Sequence, residues 1–358
     1  MVPLPQITDP VFIRRNYNWL DKQFLKIVRD ERDLPFIYLL VRISCIILPM
    51  AVLLYTSLLP NWAWWLLAVT YQVVNFIFRA PFGLMMHCIS HRQLFKRKYR
   101  GFYYYIIWFI GPFMGHTPET YFSHHIGMHH AENNMPDDRS STMFYQRDSI
   151  KDFFKYLGHF LVLGLKDLIV YLFARNKKKL AHNAMAGEFT FLMFCTVMCF
   201  VNLPGTLAVF IVTFFISRMI MMVGNWTQHS MIDPVDPANP YKNCITTINV
   251  HYNKRCWNDG YHTCHHAKPG LHWTEHPVDF KNNLEKYAAQ KAIVFDRYDF
   301  GHVFFALMNK RYDWLAKHVV NINNTFSSDE EIIELLKERT RKFSPDVDFL
   351  KHYNAASY

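Results

Sequence analysis

The sequence predicts an all-α integral membrane protein in which four transmembrane helices form two hairpins and the polar segments build a cytoplasmic helical cap. Three observations carry this. The chain of 358 residues is 51% hydrophobic and 17% aromatic, its apolar residues fall in discrete blocks, and its basic residues flank those blocks.

The first 35 residues are polar and charged, so an N-terminal cytoplasmic segment without a signal peptide is expected, leaving insertion to the first span. Residues 36–59 and 62–86 each reach the ~20 residues that cross a bilayer as a helix, and Leu59-Pro60-Asn61 turns between them. Residues 189–201 and 207–223 make the second pair around Asn202-Leu203-Pro204-Gly205. Two further apolar blocks are read as not spanning. Residues 102–114 are short and contain Gly111-Pro112, and residues 156–173 carry Lys166-Asp167 near their middle, where charge is costly in a bilayer core. Both are expected to lie at the interface or to pack over a site. Residues 36–277 form one catalytic domain. Residues 278–358 read as a C-terminal cytoplasmic helical segment, with Ser327 and Glu330 as a capping box before Ile332, Ile333, Leu335 and Leu336.

The net charge of +10 is not laid out as a nucleic-acid stripe. Arg14, Arg15, Lys22, Lys26, Arg29 and Arg32 precede the first block, Lys96, Arg97, Lys98 and Arg100 follow the second, and Lys177, Lys178 and Lys179 precede the second hairpin. That is a positive-inside pattern with a cytoplasmic N-terminus, and it argues against a nucleic-acid partner. The first hairpin then returns near His87 and the second near His229, so nearly every histidine falls on the cytoplasmic face. The seven cysteines are odd in number and several lie in apolar blocks, which fits a reducing face rather than a disulfide framework.

Nineteen histidines are the strongest chemical signal. His87-Cys-Ile-Ser-His91 ends the second span with its rings four apart on one helix face. In His124-His125-Ile-Gly-Met-His129-His130, helical geometry stacks His125 and His129 and turns His130 by ~100° toward a neighbouring ion; either His124 or His125 is the first ligand. In His262-Thr-Cys-His265-His266, spacings of three and four put the rings on one face of a short helix. Asn225-Trp-Thr-Gln-His229 repeats the four-residue spacing at the exit of the last span. His272 and His276 lie beyond Pro269-Gly270 and read as structural or as supporting ligands. His116, His159, His182, His251, His302, His318 and His352 stand apart and read as structural.

His87, His91, His125, His129, His130, His229, His262, His265 and His266 are too many donors for one ion, and the Cys pairs of a zinc ribbon are absent. Two ions with open positions fit, and nitrogen-rich sites of that kind point to iron or copper. Carboxylates that hold the rings are expected among Glu119, Glu132, Asp137, Asp138, Asp259 and Glu275.

HCISH, HHIGMHH and YHTCHH, in this order over residues 85–277, resemble the three histidine boxes of the membrane fatty acid desaturase and hydroxylase superfamily. NWTQH resembles the element that supplies a further ligand in acyl-CoA desaturases and in alkane hydroxylases. The resemblance implies two iron ions held by these histidines, with Asn225 acting through water or as a weak ligand. It also implies O2 as co-substrate, electrons from cytochrome b5 or ferredoxin, a lipid or acyl-chain substrate in a tunnel, and residence in the endoplasmic reticulum or a bacterial inner membrane. Three intervening residues in each of the first two boxes resemble alkane hydroxylases and some acyl-lipid desaturases, whereas NDGYHTCHH resembles desaturases. Desaturation of an acyl chain leads, with alkyl hydroxylation as the alternative. A histidine-rich metal transporter, the reading from another class, would place ligands within the spans or in a disordered loop rather than at helix exits.

Overall fold

The computed structural model describes residues 1–344, so His352 and the end of the 278–358 segment lie outside the described residues. The described residues are mostly helical, with four short strands among them. It divides into two compact units. A hairpin unit consists of Phe12–Gly127 and Ile169–Ile220, and a polar unit of Met1–Val11, Met128–Leu168 and the chain from Met221 on. Among the described residues five helices are long and apolar enough to cross a membrane: Glu31–Leu54, Asn61–His91, Ile150–Ala174, Lys178–Val201 and Leu203–Gln228. The sequence reading kept the third of these out of the bilayer.

In the hairpin unit both expected turns form and meet. Trp64 Nε1 donates to Leu54 O at 2.9 Å across the first turn. In the second, Asn202 caps the next helix by accepting from Gly205 N at 2.8 Å. Asn202 Nδ2 donates to Tyr55 O at 3.3 Å, and Tyr55 Oη pairs with Thr206 Oγ1 at 2.9 Å. The turns therefore share one end of the unit. His87 and His91 sit at the far end of Asn61–His91, whose 31 residues extend about 46 Å.

The apolar segment Phe102–Phe113 was expected to lie at the interface or over a site. It packs instead among the long helices of the hairpin unit. Ile106, Ile110 and Met114 are fully buried, and Phe113 O accepts from Asn75 Nδ2 at 2.7 Å, half way along Asn61–His91. Asn75 and Tyr71 inside the bundle both donate to this carbonyl, the kind of partner that irregular backbone needs at that depth.

The polar unit holds two parallel strand pairs, Thr246–Ile248 with Val294–Asp296 and Val2–Pro3 with Val320–Asn321. Its core packs Met231, Ile245, Phe295, Leu307, Leu315, Ile332 and Leu336. The final helix, Asp329–Arg339, is capped one residue later than the sequence reading placed it, with Ser328 Oγ accepting from Glu331 N at 3.3 Å. Arg147 is fully buried, and its guanidinium donates to the carbonyls of Thr142, Met143, Tyr145, Ser230, Arg339 and Arg341, tying three distant stretches together.

Candidate metal centre

Each histidine of interest is set by local backbone. His87 and His91 are the last turn of Asn61–His91, whose interior face buries Met85, Met86 and Ile89. The second box begins in the helix Thr120–His124 and passes into a single π turn over His125–His129, ending where Asn133 adopts a left-handed conformation. His229 follows the helix Val212–Gln228. The third box is the helix His262–Ala267, and the preceding Asn-Asp-Gly fixes its start. Asn258 takes φ 54°, a region asparagine tolerates, and its Nδ2 donates to the carbonyls of Pro10 and Trp273 at 2.7 and 2.9 Å. A Cβ on Gly260 would lie 2.3 Å from Asn253 Oδ1 and 2.4 Å from Thr247 Oγ1, so only glycine lets the chain pass there. Tyr261 Oη donates to Asp9 Oδ2 at 2.7 Å, so the first residues of the chain buttress the third box.

In the polar unit, His129, His229, His262 and His266 each offer a ring nitrogen within 4.8 Å of the others. Their centroids lie 4.5 Å apart for His262 and His266 and 5.3 Å apart for His129 and His229. His262 Nε2 and His229 Nε2 approach to 3.3 Å. His129 Nδ1 donates to Asp138 Oδ2 at 2.8 Å, and Asp138 Oδ1 accepts from Ser140 N and Oγ at 2.8 and 2.6 Å. His229 Nδ1 donates to Asn243 Oδ1 at 2.9 Å. Both contacts fix the tautomer that leaves Nε2 for a ligand.

The remaining five histidines fall into two sets, one in each unit. In the hairpin unit His87, His91 and His125 converge. Centroids of His87 and His125 lie 4.4 Å apart, and His91 Nε2 and His125 Nε2 are separated by 3.0 Å. The His125 ring of the second box thus meets the first box. In the polar unit His265 Nε2 and His130 Nε2 are 2.8 Å apart.

Two helical spacings are modified by the backbone. Between His125 and His129 the chain makes a π turn in place of the α-helical period behind the four-residue spacing. His265 departs from His262 and His266, since neighbours on a helix point about 100° apart. Asn225 Nδ2 donates to Ser140 O at 3.0 Å and Tyr156 Oη at 2.7 Å. Of the carboxylates singled out, Asp138 takes the role of holding a ring. Asp259 binds Gln228 and Tyr252, and Glu119 binds Trp108. His272 caps the turn at Trp273–Glu275.

This donor set fits a metal ion. Burial, then the nearby His129, pushes the His229 pKa down to about 3, and burial with the surrounding imidazoles holds His266 well below its ordinary value. Both are neutral at physiological pH, the ligating form. His266 Nε2 is buried without a hydrogen-bond partner, a costly state that an electrophile would relieve. Buried neutral imidazoles converging in a chain with five membrane-length helices have the chemistry of a metal-binding membrane protein. The family model described as Fatty acid desaturase matches residues 60–298, and the chain belongs to that family, a class of membrane-bound oxidoreductases. No curated protein and no solved structure matches the chain.

Proposed function

We propose that the chain is an O2-dependent di-iron desaturase that introduces a double bond into a fatty-acyl chain. The observation that carries this reading is the convergence of His129, His229, His262 and His266, two of them oriented by Asp138 and Asn243, in a chain of the fatty acid desaturase family. These four are the donors for one iron ion. His87, His91 and His125 of the hairpin unit and His130 and His265 of the polar unit are the remaining proposed histidine donors, with Asn225 acting through water or as a weak ligand.

When bound, the iron pair supplies the reduction of O2 and the removal of hydrogen from an unactivated methylene, with electrons delivered by cytochrome b5 or ferredoxin. The protein's own part is positional. Asp138 and Asn243 keep Nδ1 of their histidines occupied, so that Nε2 faces inward. Asn225 is held by Ser140 and Tyr156 one helical turn before His229, with its amide oxygen left to accept. The signature Asn258-Asp-Gly260 starts the third box at a fixed angle.

Four spans in two hairpins, with the site on the cytoplasmic face, remain our proposal for the topology. The rings of His129 and His229 lie 5.3 Å apart, which supports an even number of crossings between them. Lys178–Val201 and Leu203–Gln228 supply two. Ile150–Ala174 would make three, and it carries Lys166 and a His159–Asp167 pair at 2.7 Å, which supports its lying outside the bilayer core. The boundaries 1–35, 36–277 and 278–358 are proposed on the same basis.

Alkyl hydroxylation is the second reading, favoured by the three-residue spacing in HCISH and HHIGMHH. Both readings require iron. Metal analysis of the purified protein should give two iron ions per chain, with His266→Ala retaining at most one. Zinc, or no bound metal, would refute the metal assignment for either reaction.

A further inference from the structure

The hairpin unit buries a cation that the histidine sets do not use. Arg79 lies eight residues before His87 on Asn61–His91, about 12 Å down the helix axis, and is 3% exposed. Its Nη2 donates to Asn75 Oδ1 at 2.6 Å, but Nε and Nη1 are buried without an acceptor. Among the described residues no carboxylate pairs with it. The buried acid of the same bundle, Glu188, is already engaged by Arg218 and by Thr117 Oγ1. An uncompensated guanidinium in a membrane interior costs several kcal/mol, and each unpaired N–H adds about 1–3 kcal/mol. A methionine would fill the same volume without that cost.

The surroundings lead from this charge toward the first histidine set. The His116 ring lies over Gly83, one turn beyond Arg79, and near the Phe82 ring at 5.7 Å. Tyr121 follows at 5.7 Å from His116, and its ring stacks on His125 at 5.4 Å with 13° between planes. A run of rings therefore connects the depth of Arg79 with His125.

We propose that Arg79 is the anion-binding end of an internal ligand site, taking the carboxylate of an acyl ligand through its unpartnered N–H groups. The acyl chain would run past Gly83 and His116 toward the level of His87. Resting on the desaturase reading, this makes the distance from Arg79 to the histidines the ruler that selects which methylene is presented. Charge-assisted bonds of this kind favour a carboxylate over its ester by about 1.5–3 kcal/mol, or about 10–100-fold in affinity.

The test is a binding measurement on the full chain in lipid nanodiscs, at alkaline pH so that the acid is ionised, with palmitate, methyl palmitate, acetate and chloride as probes. Wild type should prefer palmitate to its methyl ester by about tenfold or more. Arg79→Met should abolish that preference without lowering the melting temperature. Asn75→Asp supplies Arg79 with a carboxylate one turn away and should abolish it too; because it also gives up the Nδ2 bond to Phe113 O, the preference and not the melting temperature is read. Equal binding of acid and ester by wild type, or retention of the preference in either variant, overturns the proposal. So does a site satisfied equally by acetate or chloride, which would make it a small-anion site. Because binding and not turnover is read, failure here leaves the metal assignment to its own iron measurement.

Discussion

Replacing Asp138 with asparagine should weaken iron retention about 10–100-fold, the usual consequence of losing the partner that orients a ligating histidine. Asp138 Oδ1 accepts from Ser140 N and Oγ at 2.8 and 2.6 Å, so the asparagine carbonyl stays there and its NH2 faces His129 Nδ1. That group only donates. Nδ1 must then accept, and the ring proton moves to Nε2, the nitrogen needed for ligation. The expected loss corresponds to about 1.4–2.7 kcal/mol. It is read as the chelator concentration that removes half the iron, with circular dichroism confirming the fold. In a His129→Ala background the same change should add almost nothing, since the coupling partner is gone. Ser140→Ala controls for the hydroxyl bond and should lower stability by about 1 kcal/mol with iron retention unchanged. Unaltered retention in Asp138→Asn, or full additivity with His129→Ala, would refute the orienting role.

Gly187→Ala should destabilise the hairpin unit by about 3 kcal/mol, because the added Cβ would fall 1.8 Å from Pro118 O; an unchanged melting temperature in detergent would contradict this close approach. Arg147→Met should cost several kcal/mol by leaving buried carbonyls of three stretches without a donor, and limited proteolysis should show cleavage in the polar unit. Metal-free protein should lose stability as pH falls from about 6.5 toward about 3. Over that window unfolded His229 binds a proton that the folded form excludes, a slope of ~1.4 kcal/mol per pH unit for that group. Denaturant midpoints independent of pH across this range would contradict the buried neutral imidazole.

Much of the arrangement was legible in the sequence where one periodicity governs it. HCISH sits at the helix exit its hydropathy predicts, and both hairpin turns fall at their Pro, Asn and Gly residues. HHIGMHH was legible as a histidine cluster but not in its backbone, because its spacing reads as α-helical where the chain makes a π turn. The partners Asp138 and Asn243 lie nine and fourteen residues from their histidines and reach them through tertiary folding. Only the Asx-turn pattern of Asp138 and Ser140 hinted that this acid is held rigidly. Arg147 carries no sequence signal, since its acceptors are backbone carbonyls. Ile150–Ala174 shows that length and hydropathy alone leave a count ambiguous.

Lipid profiling by mass spectrometry of cells expressing the chain, beside cells expressing His266→Ala, tests the central claim most directly. The account predicts new acyl double bonds at a defined position that require O2 and vanish in the variant. New hydroxylated chains dependent on His266 would contradict the desaturase assignment, and identical lipids in the two cell lines would contradict catalysis at this histidine set.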